Sequence, residues 1–285
     1  MRHLCLYGLL TILAYCTGCN TPAAKRNPGN PDSGVADDSV MPVAEQSAGQ
    51  AADDTIPAGV NALLKAYPDF ISGWDGRNIL FTDGTSMPYD DGKEKTFEQR
   101  LDNSDIEDMF ADLYKEHTGA PEYLSDAGRS RCEALFKKMY GDNSAAVQKN
   151  LVTVKWIGEN VRFTRINGAA DSLRNVGIEL EKYPGLRKYL KSSGTFYWRK
   201  VRGANRQSAH SYGIAFDIGV NYSDYWKWNN PDADESAGIR YVNRIPKQIA
   251  DIFHRHGFIW GGNWYHYDTM HFEFRPELLN YAGNL

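Results

Sequence analysis

Ser208-Ala209-His210-Ser211-Tyr212-Gly213-Ile214-Ala215-Phe216-Asp217-Ile218-Gly219-Val220 carries an architectural and a chemical signal together. From Ile214 to Val220, large apolar residues alternate with small or charged ones. Ile214, Phe216, Ile218 and Val220 fall on one face; Ala215, Asp217 and Gly219 fall on the other. Side chains alternate across a strand, so the pattern predicts a half-buried strand over 214–220. Asp217 then stands between two tiny neighbours that leave open space beside its carboxylate. His210 precedes the strand, and Gly213 supplies a turn that brings its ring back over Asp217.

A second stretch, Gly261-Gly262-Asn263-Trp264-Tyr265-His266-Tyr267-Asp268-Thr269-Met270-His271-Phe272-Glu273, ends in the same alternation. Met270, Phe272 and Phe274 face one way, His271 and Glu273 the other. Around these two strands the spacing predicts a strand over 195–201 and another over 152–156. It predicts helices over 59–67, 127–140, 169–183 and 245–256, each marked by apolar residues at helical spacing. Ser104-Asp105-Ile106-Glu107 fits a capping box opening a further helix. Strands interleaved with helices through short connections predict an α+β domain, a small antiparallel sheet with helices packed around it.

Two imidazoles and one carboxylate, with a fourth position left for water, make a catalytic Zn2+ arrangement. His210, Asp217 and His271 are the expected ligands if the two strands lie side by side. Asp268, three residues before His271, is placed to act as general base on the attacking water. Glu273 shares the face of His271 and either orients its ring or sits at the surface. Arg199, at the end of its strand, suits a substrate carboxylate or a developing oxyanion, with Arg202 and Arg206 as competitors. His266 is the rival ligand. His254 and His256 end a helix, where cations complement its dipole, and His117 and His3 look incidental. Tyr222, Tyr225, Trp226 and Trp228 either line a substrate groove or pack in the core.

The 285 residues suffice for one sizeable core, and five of the seven Trp follow residue 197, which places a folded domain in the C-terminal half. The net charge is −4 and no Lys/Arg run appears, so a nucleic-acid partner is not expected. Three of the four Cys lie in the first nineteen residues and only Cys132 in the body, which excludes a disulfide framework or a Cys-based metal site there. Arg2 and His3, an apolar run from Leu4 to Leu13 and the small-residue region up to Cys19 read as a secretory signal over 1–18. The apolar run is too short to span a bilayer. Thr17-Gly18-Cys19 is similar to a bacterial lipobox, with Cys19 the lipidated residue. Residues 19–57 read as a disordered tether, because Asn20 to Pro57 contains no aromatic residue and no Leu. The expected organisation continues with an extension over 58–150, packed on a catalytic domain over 151–285.

Ser208-x-His210-x-x-Gly213-x-Ala215-x-Asp217, followed by Asp268-x-x-His271-Phe272-Glu273, resembles the VanY-like zinc metallopeptidases. That family comprises D-Ala-D-Ala carboxypeptidases and L-alanyl-D-glutamate endopeptidases. Trp198-Arg199 and Gly261-Gly262-x-Trp264 look like its pattern too, and the resemblance runs roughly from Val152 to Glu277. It implies the α+β fold shared with the hedgehog signalling domain, here with an extra mainly helical N-terminal portion. It implies zinc on His210, Asp217 and His271, Asp268 as the catalytic carboxylate and Arg199 as the substrate-stabilising arginine. Several D-Ala-D-Ala-specific members carry Glu where this chain has Asp268, and Asp is similar to the endopeptidase branch. The expected substrate is the stem peptide of peptidoglycan. The expected protein is a monomer exported to the bacterial cell envelope, touching membrane only through its lipid anchor. A non-catalytic, zinc-containing wall-binding lipoprotein is the alternative. A serine hydrolase is not expected, because no Gly-x-Ser-x-Gly elbow is present.

Overall fold

The computed structural model describes residues 56–117 and 119–283. The expected signal segment, the expected lipobox cysteine and the expected tether up to residue 55 lie outside the described residues. Among the described residues eight α-helices and nine strands follow in order: α1 (Ala58–Ala66), β1 (Ile71–Trp74), β2 (Asn78–Phe81), β3 (Ser86–Pro88), α2 (Phe97–Asn103), α3 (Glu133–Tyr140), α4 (Ser144–Gln148), β4 (Leu151–Trp156), β5 (Glu159–Thr164), α5 (Ala169–Leu180), β6 (Ser192–Gly194), β7 (Ala215–Ile218), α6 (Trp226–Asn229), α7 (Lys247–Arg255), β8 (Phe258–Trp260), β9 (His271–Phe274) and α8 (Pro276–Tyr281). Among the described residues they form three antiparallel sheets, β1-β2-β3, β4-β5 and β6-β7-β9-β8. This is the expected α+β architecture, and the mainly helical portion before residue 150 also carries the β1-β2-β3 sheet. No helix among the described residues is long and apolar enough to cross a membrane.

The β6-β7-β9-β8 sheet positions the site. Its β7 and β9 send Phe216, Ile218 and Phe272 into a core closed by α5 and α7. Phe253 of α7 stacks on Phe272 at 3.9 Å between ring centroids, and Trp156 meets Phe216 edge-on at 4.6 Å. Aromatic pairs in these geometries add to the burial of their area. On α5, Ala170, Leu173, Val176 and Gly177 face the core, and Gly177 lets the helix lie against the Trp156 ring. With one face of the sheet packed, Asp217 and His271 are left on the other.

Several local expectations change. The β7 strand stops at Ile218, because Gly219 adopts a left-handed conformation with φ of 55°; Val220 therefore leaves the apolar face and is exposed. No strand forms over the expected 195–201; β6 ends just before it, at Gly194. Beyond it the chain bonds to the 207–211 segment: Tyr197 N donates to His210 O at 3.3 Å, and Arg199 N donates to the Ser211 hydroxyl at 2.9 Å. Arg199 thus sits on an irregular arm rather than at the end of a strand. The helix expected from Ala127 begins only at Glu133, since Gly128 has φ of 102° and its carbonyl serves two arginines, Arg131 and Arg275. The capping box is Thr96/Gln99 at the start of α2, not Ser104. Instead the backbone N–H of Asp105 and of Asp108 each donates to the other's carboxylate across a 3-10 turn, and Lys95 neutralises the pair.

The segment before residue 150 shares the core with the remainder. Tyr67 donates a short hydrogen bond to Glu277 on α8. Tyr114 accepts from Trp260 N at 2.8 Å and from Asn263 Nδ2 at 2.9 Å. Trp264 Nε1 donates to Ala127 O at 2.7 Å.

Candidate metal centre and cleft

The backbone register makes Asp217 and His271 direct cross-strand partners on β7 and β9. Opposing side chains on one face of an antiparallel pair stand close enough to interact. On the other flank Asp217 pairs with Gly194, whose missing side chain leaves the carboxylate uncovered. His210 arrives from a 3-10 turn, Ala209–Tyr212, which Gly213 closes with φ of 69°. The three residues come together: one ligand atom from each lies within 4.8 Å of the others.

A Cβ at Gly213 would lie 2.5 Å from Leu151 Cδ2, in a conformation that side-chain-bearing residues rarely adopt. Gly213→Ala is expected to cost about 1–3 kcal/mol and to displace the turn that carries His210. Urea denaturation measures the cost, and an unchanged midpoint would contradict this account of the turn.

Hydrogen bonds fix both rings. Nδ1 of His210 contacts the Thr195 carbonyl oxygen, which can only accept, so this nitrogen carries the hydrogen. Nε2 of His271 lies 2.9 Å from Glu273 Oε1 and donates to it. The remaining ring atoms, His210 Nε2 and His271 Nδ1, face Asp217 oxygens at 3.2 and 2.8 Å. In neutral rings these are lone pairs set against a carboxylate. Such a cluster needs a cation, either added protons or a metal ion, among its atoms. The shifts of the metal-free cluster agree. Burial opposes the charge on His271, but the Asp217 and Glu273 carboxylates outweigh it and raise the imidazole to about 10. Burial likewise opposes ionisation of Asp217, yet His210 and His271 hold it well below the usual carboxylate range. The donor set, two imidazoles and a carboxylate each oriented from behind, fits Zn2+.

A second cluster, Glu116, Asp251 and His254, is of a different kind. Tyr114 accepts two hydrogen bonds and so donates its own hydrogen to His254 Nε2 at 2.6 Å. His254 Nδ1 must therefore carry a hydrogen; it lies 3.2 Å from Glu116 Oε1, and Lys247 already bridges Glu116 and Asp251. No ring lone pair is offered there.

The three converging residues border a cleft of about 560 Å³. Asp268 lies in its wall with Oδ1 enclosed and without a partner. Burial, joined by the Asp217 charge, pushes this carboxyl up to about 7 against the pull of His271 and His210. Arg199 and Arg202 border the same cleft as exposed cations with no ion pair among the described residues, whereas Arg206 is engaged by Asp102 at 2.7 Å. His266 lines the cleft too but is turned to Asp126 and Glu235, so it stands outside the donor cluster. Of the four aromatics after the strand, Trp226 is buried, while Tyr225 and the exposed Trp228 join it in the cleft wall and Tyr222 lies outside. Glu273 is buried, which corrects the surface alternative. Burial opposes its charge, but Arg131, His271 and Arg275 bring it down to about 2. Arg129 and Arg131, also in the wall, carry no signal in the local sequence, because the carboxylates that tie them to the cleft, Glu235 and Glu273, lie more than a hundred residues away.

Residues 202–274 match the family model of the D-alanyl-D-alanine carboxypeptidases. The matched span contains His210, Asp217, Asp268 and His271 and begins after Arg199. It bears out the VanY-like resemblance and supports a peptidase. A comparison with the curated proteins finds no match.

Proposed function

We propose that this chain is a zinc-dependent peptidase that hydrolyses peptide bonds in the stem peptides of peptidoglycan. The observation that carries the reading is one cleft holding both a convergent His210–Asp217–His271 donor set and Asp268, whose enclosed Oδ1 has no hydrogen-bond partner among the described residues. His210, Asp217 and His271 would hold the ion, with Thr195 O and Glu273 keeping each ring in the required tautomer. Zinc bound there supplies a Lewis acid and a water whose pKa lies near neutrality.

The remaining chemistry belongs to the chain. Asp268 accepts a proton from the attacking water and returns it to the leaving amine; a carboxyl raised by burial is suited to both transfers. Arg199 places a permanent positive charge at the cleft for a substrate carboxylate or for the oxyanion. Tyr225 and Trp228 provide flat surfaces along the peptide. Asp268 favours an enzyme over a wall-binding protein, since a binding site gains nothing from an enclosed carboxylate oxygen, Oδ1, that no hydrogen bond satisfies among the described residues. Asp rather than Glu at this position favours the endopeptidase reading over the carboxypeptidase one. In the same proposal the protein works as an exported monomer, tethered to the membrane through lipid on Cys19, with no nucleic-acid partner.

Digestion of purified muropeptides, followed by mass analysis with and without a chelator, tests the proposal. Loss of terminal D-Ala identifies carboxypeptidase action, and separation of L-Ala from D-Glu identifies the endopeptidase. Cleavage should stop with chelator and return with zinc. Metal-loaded protein that cuts no stem peptide would sink the peptidase reading in favour of wall binding.

A further inference from the structure

We propose that Arg131 is a positioning residue for the His271 imidazole, so that the segment before residue 150 supplies part of the frame of the metal centre. The inference rests on the zinc reading above. It concerns a residue outside the matched span 202–274.

Arg131 Nη1 lies 3.1 Å from Glu273 Oε1 and 3.0 Å from the Gly128 carbonyl oxygen. Oε1 is also the atom that accepts from His271 Nε2 at 2.9 Å. One carboxylate oxygen is therefore held from two sides, and the plane of the His271 ring follows its position. Both partners are removed from solvent, with side-chain exposures of 9% for Arg131 and 1% for Glu273, so water does not stand in for either. Arg275 is no substitute. Its Nε is taken by Glu277, and its Nη1 serves Gly128 O at 3.0 Å while lying 3.4 Å from the other Glu273 oxygen. Its Nη2 is buried without a partner. An orphaned guanidinium nitrogen draws any nearby carboxylate that is not held elsewhere. Without Arg131, Glu273 is free to swing toward Arg275, and the His271 ring loses the acceptor that keeps Nδ1 aimed at Asp217. Groups that orient a metal-ligating histidine typically contribute 10–100-fold in affinity.

The test uses the full chain and needs no substrate: zinc affinity is measured by competition with a chromophoric chelator. Arg131→Met is expected to bind zinc about 10–100-fold more weakly than wild type. Arg131→Lys should fall between, since an ammonium restores charge without the planar fork. Lys95→Met is the control. It deletes a comparably buried cation of the same segment, bound to Asp91, Asp105 and Asp108. Its zinc affinity should stay within about twofold of wild type, as expected for independent sites. Wild-type affinity in Arg131→Met overturns the proposal. An equal loss in Lys95→Met also overturns it, because the effect is then general loosening of the segment. Should Arg131→Met not fold, Arg131→Lys is read alone: weaker binding supports the role and unchanged binding overturns it. Wild-type protein that takes up no zinc is a separate result, and it refutes the metal reading itself.

Discussion

His271→Ala and His210→Ala are each expected to emerge from purification with no bound zinc and no peptidase activity. Each removes one of the two imidazoles that face Asp217, at 2.8 and 3.2 Å. Substitutions one shell further out already cost metal affinity by 10–100-fold, so losing a ligand is expected to cost more than about 100-fold. Folding should survive both changes, because the apolar face of β7 and β9 is packed by Phe216, Phe272 and Phe253 without help from either ring. His266→Ala separates this from a general effect of cleft histidines. Its ring is turned to Asp126 and Glu235, and the variant should keep its zinc. Metal content by atomic emission after gel filtration, paired with muropeptide turnover, reads both. Stoichiometric zinc in His271→Ala would remove that residue from the ligand set.

The parts of the site that strand alternation governs were legible in the sequence. Asp217 and His271 each stand opposite a run of large apolar residues, and a period of two is enough to put them on the free face. That the two strands are neighbours in register is a tertiary fact, and here it makes the residues direct partners. The Arg199 arm reads as a strand in sequence because Phe196, Tyr197 and Trp198 have strand propensity. Its backbone is instead committed to the 207–211 segment through Ser211, a bond that no local pattern encodes. The expected helix from Ala127 was shortened by Gly128, whose Cβ would lie 2.4 Å from Ile259 Cδ1. Here close packing against β8 overrides a helical spacing. Arg131 was invisible for a related reason: nothing near it in sequence predicts a bond to Glu273.

Asp268→Asn is the informative counterpart to the ligand variants, because it should divide binding from chemistry. The amide matches the carboxyl in size, and none of the His210, Asp217 or His271 contacts pass through the Asp268 side chain. Zinc content is therefore expected to stay at the wild-type level. An amide cannot take a proton from water at neutral pH, so kcat should fall by about 10²–10⁴-fold, the usual contribution of a general base, with KM little changed. Stability should move the opposite way. In the metal-free protein the Asp268 carboxyl is raised from 3.8 to about 7 by burial and by Asp217. An acid whose folded pKa is raised disfavours folding once it ionises. The penalty is absent below the unfolded pKa, grows through the interval between 3.8 and about 7, and levels off above it. Metal-free Asp268→Asn should thus be the more stable protein at pH 8, with the advantage fading as pH falls toward 4. Losing activity while gaining stability is what a side chain kept for its chemistry produces. Wild-type turnover in this variant would take the base away from Asp268. A variant that takes up zinc yet is inactive, and that is more stable than wild type when metal-free, would separate the residue from the ligands and from the structural carboxylates.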